Sequence, residues 1–180
     1  MKKILFVMLF FLSSASLASP LEGLKKIYLV STMGELTQIA NVEFESNEKG
    51  VAYKVSMIDT PFENQFLSMR PFQCLMGKIQ VMCHVPYPYE KKGYVTQSDF
   101  SNLSYDLLFL HKTPSEYGIN MWNGIFYKLG LNNGELSGLV LEIDMNILAV
   151  PPDDLDEPIP EDEFFEADVT NYAYPRIVIK

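Results

Sequence analysis

The chain has no G-x-S-x-G elbow, no H-E-x-x-H pair, no G-x-x-x-x-G-K loop and no G-x-G-x-x-G turn. Each of those spacings exists for a mechanical reason, so their absence removes the local signatures of serine hydrolases, zinc proteases, phosphate loops and dinucleotide folds. Paired carboxylates or a dispersed triad need no contiguous motif and stay open. Histidine is scarce at two residues, His84 and His111, which leaves His111 as the one candidate for a dispersed base. Basic residues are outnumbered 14 to 23 by acids, and the pairs Lys25-Lys26 and Lys91-Lys92 are too sparse for a phosphate-binding stripe, so nucleic acid is excluded as a partner. No basic amphipathic stretch offers itself to anionic lipid. No apolar run reaches the ~20 residues that a membrane span needs.

What is there begins at the N-terminus. Lys2 and Lys3 precede the apolar run from Ile4 to Leu12, and small residues follow, ending Ser16-Leu17-Ala18. This is the pattern of a secretory signal peptide over residues 1–18, cleaved after Ala18. The first cysteine is Cys74, so no lipid-acceptor cysteine follows that site. The expected mature chain is exported, to the periplasm or beyond, and has no membrane span. Its 162 residues suffice for one domain burying ~70 % of its unfolded surface.

Export bears on the only two cysteines, Cys74 and Cys83, which are separated by eight residues. An oxidising compartment favours bridging over two free thiols. A hairpin turning near Gly77-Lys78 places Phe72, Cys74 and Met76 on one apolar face with Val81, Cys83 and Val85. The opposite face, with Gln73, Leu75, Gln80, Met82 and His84, is mixed and is expected to be half exposed. A disulfide between Cys74 and Cys83 is therefore expected. Zinc is disfavoured, since the C-x2-C and H-x3-H spacings are missing and His84 and His111 would have to converge from elsewhere. A nucleophilic thiol lacks an adjacent base. No metal and no cofactor are expected.

The two lysines of the signal are its only charges, so its removal takes the net charge from −9 to −11. Nine acids and no base lie between Pro151 and Asp168: Asp153, Asp154, Asp156, Glu157, Glu161, Asp162, Glu163, Glu166 and Asp168. Four prolines and self-repulsion make 151–168 read as an extended, solvated loop, which could also face a basic partner. The calcium loop D-x-D-x-D-G is not matched there. Aromatic residues concentrate in HVPYPYE, with Tyr87 and Tyr89, and in SEYGINMWNGIFYK, with Tyr117, the single tryptophan Trp122, Phe126 and Tyr127. The two segments are candidate contacts for protein or carbohydrate, through Tyr87, Tyr89, Tyr117 and Trp122, or else core.

Period-2 patterning dominates the organisation. Glu35 to Glu45 alternates with Leu36, Ala40, Val42 and Phe44 on one side, and Val51, Tyr53, Val55 and Met57 continue the pattern after the turn Asn47-Glu48-Lys49-Gly50. Gly124 to Leu131 and Glu135 to Asp144 flank Asn132-Asn133-Gly134, a strong hairpin signal. With the cysteine hairpin this makes three hairpins, plus an early strand near Ile27 to Val30. One segment breaks the period: Phe100, Leu103, Leu107 and Leu110 recur at three and four after Ser98 and before Pro114. That predicts a helix capped by Ser98, with His111 at its C-terminal end. The expected fold is α+β: antiparallel hairpins forming one sheet or open barrel, with one packed helix. The expected organisation is a mostly β domain over 19–150, the acidic loop over 151–168, and a C-terminal segment, 169–180, ending in an edge strand at Ile177-Val178-Ile179.

The stretches FLSMRPFQC, CHVPYPYE and YGINMWNG resemble a family of small exported bacterial proteins with no established activity. The resemblance spans most of the mature chain. It implies export and a single domain, and it supplies no catalytic residue. The reading that follows is a non-enzymatic binding protein, an inhibitor or immunity protein facing a basic partner or envelope component, because opposite charge steers association. The alternatives are a cell-envelope hydrolase using His111 with Asp99 or Asp106, and an envelope structural protein.

Overall fold

The computed structural model describes residues 21–68, 71–155 and 157–180. The signal peptide expected over residues 1–18 and the carboxylate of Asp156 lie outside the described residues. In chain order the strands are β1 (Gly23–Val30), β2 (Leu36–Asn47), β3 (Gly50–Met57), β4 (Glu63–Phe66), β5 (Pro71–Met76), β6 (Val81–His84), β7 (Tyr94–Val95), β8 (Phe109–Lys112), β9 (Gly124–Asn132), β10 (Glu135–Ile143), β11 (Phe164–Glu166) and β12 (Arg176–Ile179). Among the described residues one short α-helix, α1 (Ser101–Tyr105), stands between β7 and β8. The sheet is antiparallel and runs β4-β5-β6-β8-β9-β10-β12-β1-β2-β3-β7, with β11 added beside β10.

The three expected hairpins are present, each with the turn its residues dictate. Asn132 pairs with Glu135 around Asn133 and Gly134, which adopt φ of 51° and 82°. Two consecutive positive φ angles define the turn whose twist matches that of the flanking strands. Asn47 pairs with Gly50 around Glu48-Lys49, and Met76 pairs with Val81 across a four-residue loop. That even loop puts Cys74 directly opposite Cys83, with Cα atoms 4.0 Å apart, and the two are bridged.

The sheet has two cores, one on each face. The larger gathers Ile27, Leu29, Ile39, Ala40, Val42 and Phe44 with Leu75, Met82, Phe109, Tyr127, Leu136 and Ile177. It draws on strands from β5 at one side to Val95 of β7 at the other, so the sheet curls around it. The smaller core lies on the outer face of β5, β6, β8, β9 and β10, where Phe72, Cys74, Val81, Cys83, Leu110, Phe126 and Ile143 are roofed by Met145, Leu148 and Ile159 from later in the chain. Full burial of one such large side chain contributes ~1.5–3 kcal/mol.

The second core overturns part of the sequence reading. The face of the cysteine hairpin expected to be half exposed carries Leu75 and Met82 at 5 % and 1 % exposure, because both sides of β5 and β6 are covered. The helix expected over Ser98 to Leu110 shrinks to five residues, and Ser98 does not cap it. In Leu107-Leu108-Phe109-Leu110 every residue is buried, alternately in the larger and the smaller core. A strand covered on both faces loses its polar alternation, and the three-four spacing is a by-product of that. His111 therefore sits on β8, opposite Met82 of β6, rather than at a helix end.

The end of the chain differs as well. β12 is not an edge strand: it lies between β10 and β1, with Ile177 paired to both Gly138 and Leu29. Its Ile177, Val178 and Ile179 are all buried, as in a central strand covered on both faces. Nor is the acidic segment a solvated linker throughout. Ile159 is 1 % exposed, its N–H reaches the Tyr105 hydroxyl at 3.3 Å, and Phe164–Glu166 pairs with Leu141 to Ile143. Residues beyond Val150 thus belong to the same cores as the rest. In β2, Ile39 and Ala40 are both buried, because Ile27 faces Ala40 while Tyr28 faces Gln38, a bulge that inserts Ile39.

Candidate functional site

Two concavities with polar rims stand out. The larger, about 420 Å³, opens between α1, β9 and the acidic segment. Its floor is apolar, formed by Phe100, Tyr105, Phe126, Leu129, Ile159 and Phe164. Its rim carries Asp99, Asp154, Glu157 and Glu161, and among the described residues Lys128 is the only base that lines it.

Local chemistry builds this rim. Asp99 accepts from the Ser101 N–H at 2.9 Å and the Ser101 hydroxyl at 2.7 Å, which starts the short helix. Ser104, one turn later, accepts the Leu129 N–H at 3.3 Å and so ties the helix to β9. Glu157 accepts from the Glu161 N–H at 3.1 Å, and Glu161 pairs with Lys128 at 3.0 Å. Both partners of that pair are mostly exposed, and such a pair contributes little to stability. Burial, the largest influence, pushes the Tyr105 hydroxyl up to about 12, so it stays protonated at the floor of the cleft.

The smaller concavity, about 210 Å³, lies where the inner face of the sheet reaches its end. It is lined by His111, Trp122, Asn123, Glu142, Asn171 and Tyr172, with Gly124 beside them. Gly124 is required there, since a Cβ would meet the Ile143 carbonyl at 2.5 Å. The Tyr172 hydroxyl donates to Glu142 Oε1 at 2.7 Å, and the His111 and Tyr172 rings meet edge to face at 5.3 Å. Burial lowers the His111 pKa, and the charges of Glu142 and Glu116 oppose that shift. The imidazole is neutral at pH 7, with one donor and one acceptor nitrogen.

The expected contact residues are dispersed. Tyr87 and Tyr89 are half-buried against the smaller core; the Tyr89 hydroxyl donates to the Leu148 carbonyl at 2.8 Å, and the Tyr87 ring packs 5.2 Å from Tyr105. Tyr117 and Trp122 are exposed on the loop before β9, and Trp122 lines the smaller concavity. Of the acids, Asp154, Glu157 and Glu161 line the larger cleft, Asp153 is exposed and lines a neighbouring concavity with Pro151 and Pro160, and Asp162 and Glu163 follow Glu161 in a 3-10 turn.

His111 does not share a cavity with either carboxylate paired with it from the sequence. Asp99 belongs to the larger cleft, while Asp106 forms an ion pair with Lys91 and accepts from His84 Nε2 through its carbonyl at 2.9 Å. The carboxylate beside His111 is Glu142, which the sequence reading passed over. A signal for it exists. Glu142 falls in phase with Leu136 and Val140 on β10, as His111 does with Phe109 on β8. A charged or titratable residue on the apolar phase of a strand, at its last turn of alternation, marks where a core gives way to a polar mouth.

Among the described residues no cluster of three or more histidine, cysteine or acidic side chains is arranged to hold a metal ion, and no helix is long and apolar enough to cross a membrane. Comparison of the chain with family models, with curated proteins and with solved structures gives no match.

Proposed function

We propose that this is an exported, non-enzymatic binding protein, of the kind of small exported bacterial domain its motifs resemble, and that it holds a basic segment of a protein partner in the acidic cleft. In this reading residues 1–18 direct export to the periplasm and are removed, and the curled sheet acts as an open barrel with the helix packed against it. The cleft is the observation that carries the reading: four carboxylates rim its apolar floor, against a single lysine. A lysine or arginine side chain suits both parts, with its methylenes on the floor and its charge at the rim. A net charge of −9 over the whole chain adds long-range steering. An inhibitor or immunity protein facing a basic enzyme fits this arrangement.

The test is binding of a defined arginine-rich peptide to the mature protein and to a variant carrying Asp99→Asn, Asp154→Asn and Glu157→Gln. Wild type is expected to bind with an affinity that falls steeply between 50 and 500 mM salt, roughly as exposed charge pairs are screened. The variant should bind at least about tenfold more weakly. Equal binding by both proteins would place the interaction elsewhere and sink the cleft as the site.

A further inference from the structure

We propose that the small cavity at the mouth of the inner face is a second binding site, for one pyranose ring of a neutral saccharide. Four observations converge on it. The cavity holds about 210 Å³, less than the ~300–1,000 Å³ of a drug-sized pocket, so it takes a single ring rather than a long ligand. Trp122 stands at its side with 70 % of its surface exposed, although it is the largest apolar side chain the protein has and the only tryptophan. A flat, exposed indole beside a polar cavity offers a platform for the C–H face of a ring and an N–H for a hydroxyl.

The polar lining has the mixed character that hydroxyl groups require. Asn123 and Asn171 carry amides that both donate and accept, neutral His111 does the same with its two nitrogens, and Glu142 accepts. A sugar hydroxyl is donor and acceptor at once, and matches such a set better than a phosphate, which needs donors only. An ammonium group is the nearest rival, since Glu142 and the aromatic rings would attract it. Glu142 already accepts the Tyr172 hydroxyl at 2.7 Å, however, and it stands exposed at the strand end, where water screens its charge.

The site is rigid where it needs to be. Tyr172 is 3 % exposed and anchored in the larger core, His111 is held in β8 by its N–H to the Asn123 carbonyl at 3.0 Å, and Glu142 is paired with Ile125 across the hairpin. Asn120 fixes the loop that carries the indole, its side-chain oxygen accepting from the main-chain N–H of Trp122 at 3.1 Å. The cavity therefore does not have to form when the ligand arrives, which lowers the ordering cost of binding. None of these residues lines the acidic cleft, so the inference stands independently of it.

The single tryptophan makes the test direct. Trp122 emission is titrated with chitotriose, cellotriose and maltotriose at up to 10 mM, and separately with an N-acetyl-lysine amide that carries a free ammonium. The expected result is a saturable change with at least one trisaccharide and none with the lysine compound. Calorimetry should then show Trp122→Ala and Asn171→Ala, both at exposed positions, losing about tenfold or more in affinity. The acidic-cleft variant should bind sugar as the wild type does, which separates failure of this site from failure of the other. No response to any of the trisaccharides would overturn the proposal. So would a response to the lysine compound alone, or sugar binding that survives Trp122→Ala unchanged.

Discussion

The Tyr127 hydroxyl donates to the Tyr174 carbonyl at 2.7 Å, joining the middle of β9 to the segment that leads into the last strand. Tyr127 is fully buried in the larger core, and its pKa is raised by that burial first and by the neighbouring Tyr172 and Tyr174 next. One phenol thus links two parts of the chain 47 residues apart. Replacing Tyr127 by Phe keeps the ring and leaves the carbonyl without its donor. The loss should be about 1–2 kcal/mol in denaturant unfolding, the penalty of one buried unsatisfied acceptor. A change below a few tenths would show that the carbonyl finds another donor.

Removing everything after Val150 should do more than lower the melting temperature. β12 lies between β10 and β1, so its loss exposes both neighbours and splits the sheet in two. Ile159, Tyr172, Ile177 and Ile179 leave the cores with it. The truncated protein is expected to bind a hydrophobic dye and to show no cooperative thermal transition. A sharp transition within a few degrees of the wild type would contradict this topology.

The Cys74–Cys83 bridge closes a short loop, with a sequence separation of nine. Constraining so small a loop in the unfolded chain contributes about 2–3 kcal/mol in the chain-entropy account. Thiol titration of unfolded, unreduced protein should find no free thiol, and two would refute the bridge. The double variant Cys74→Ala, Cys83→Ala should fold with stability lower by that order.

Acid should weaken the protein before its carboxylates titrate. Burial lowers the pKa of both His84 and His111 below 6.5. The unfolded chain then binds more protons than the folded one, so stability rises with pH across this window. The contribution is complete above the unfolded value of 6.5 and is lost as pH falls through the folded values. Around His84 stand the Asp106 carbonyl and carboxylate and Lys91; around His111 stand Glu142, Glu116 and the Tyr172 hydroxyl. Melting temperature should therefore fall as pH drops below 6.5, above the range where Glu116 and Asp168 titrate from lowered values. His84→Gln with His111→Gln should flatten the profile in that window; an unchanged slope would assign it to other groups.

The local signals in the sequence were enough for the hairpins. Asn133-Gly134 demands two positive φ angles, and Glu48-Lys49 sits between alternating runs, so turn and strands agree without help from the rest of the chain. The register of Cys74 against Cys83 follows from an even loop in the same way. These are interactions between residues near one another along the chain, where periodicity and turn chemistry act directly.

Tertiary structure decided the rest, because a second core lies on the outer face. Phe109 and Leu110 pair with β6 and β9 instead of extending the helix, and Leu75 and Met82 lost their exposure to the larger core. The last strand, read as an edge, found two partners because β10 and β1 each left one side unpaired. Glu142, Trp122, Asn171 and His111 come from four separate stretches, and the pairing of β8, β9 and β10, with the return of the chain before β12, brings them to one mouth. A single run of residues shows its own period, whereas burial on a given face depends on which strands the chain later lays beside it.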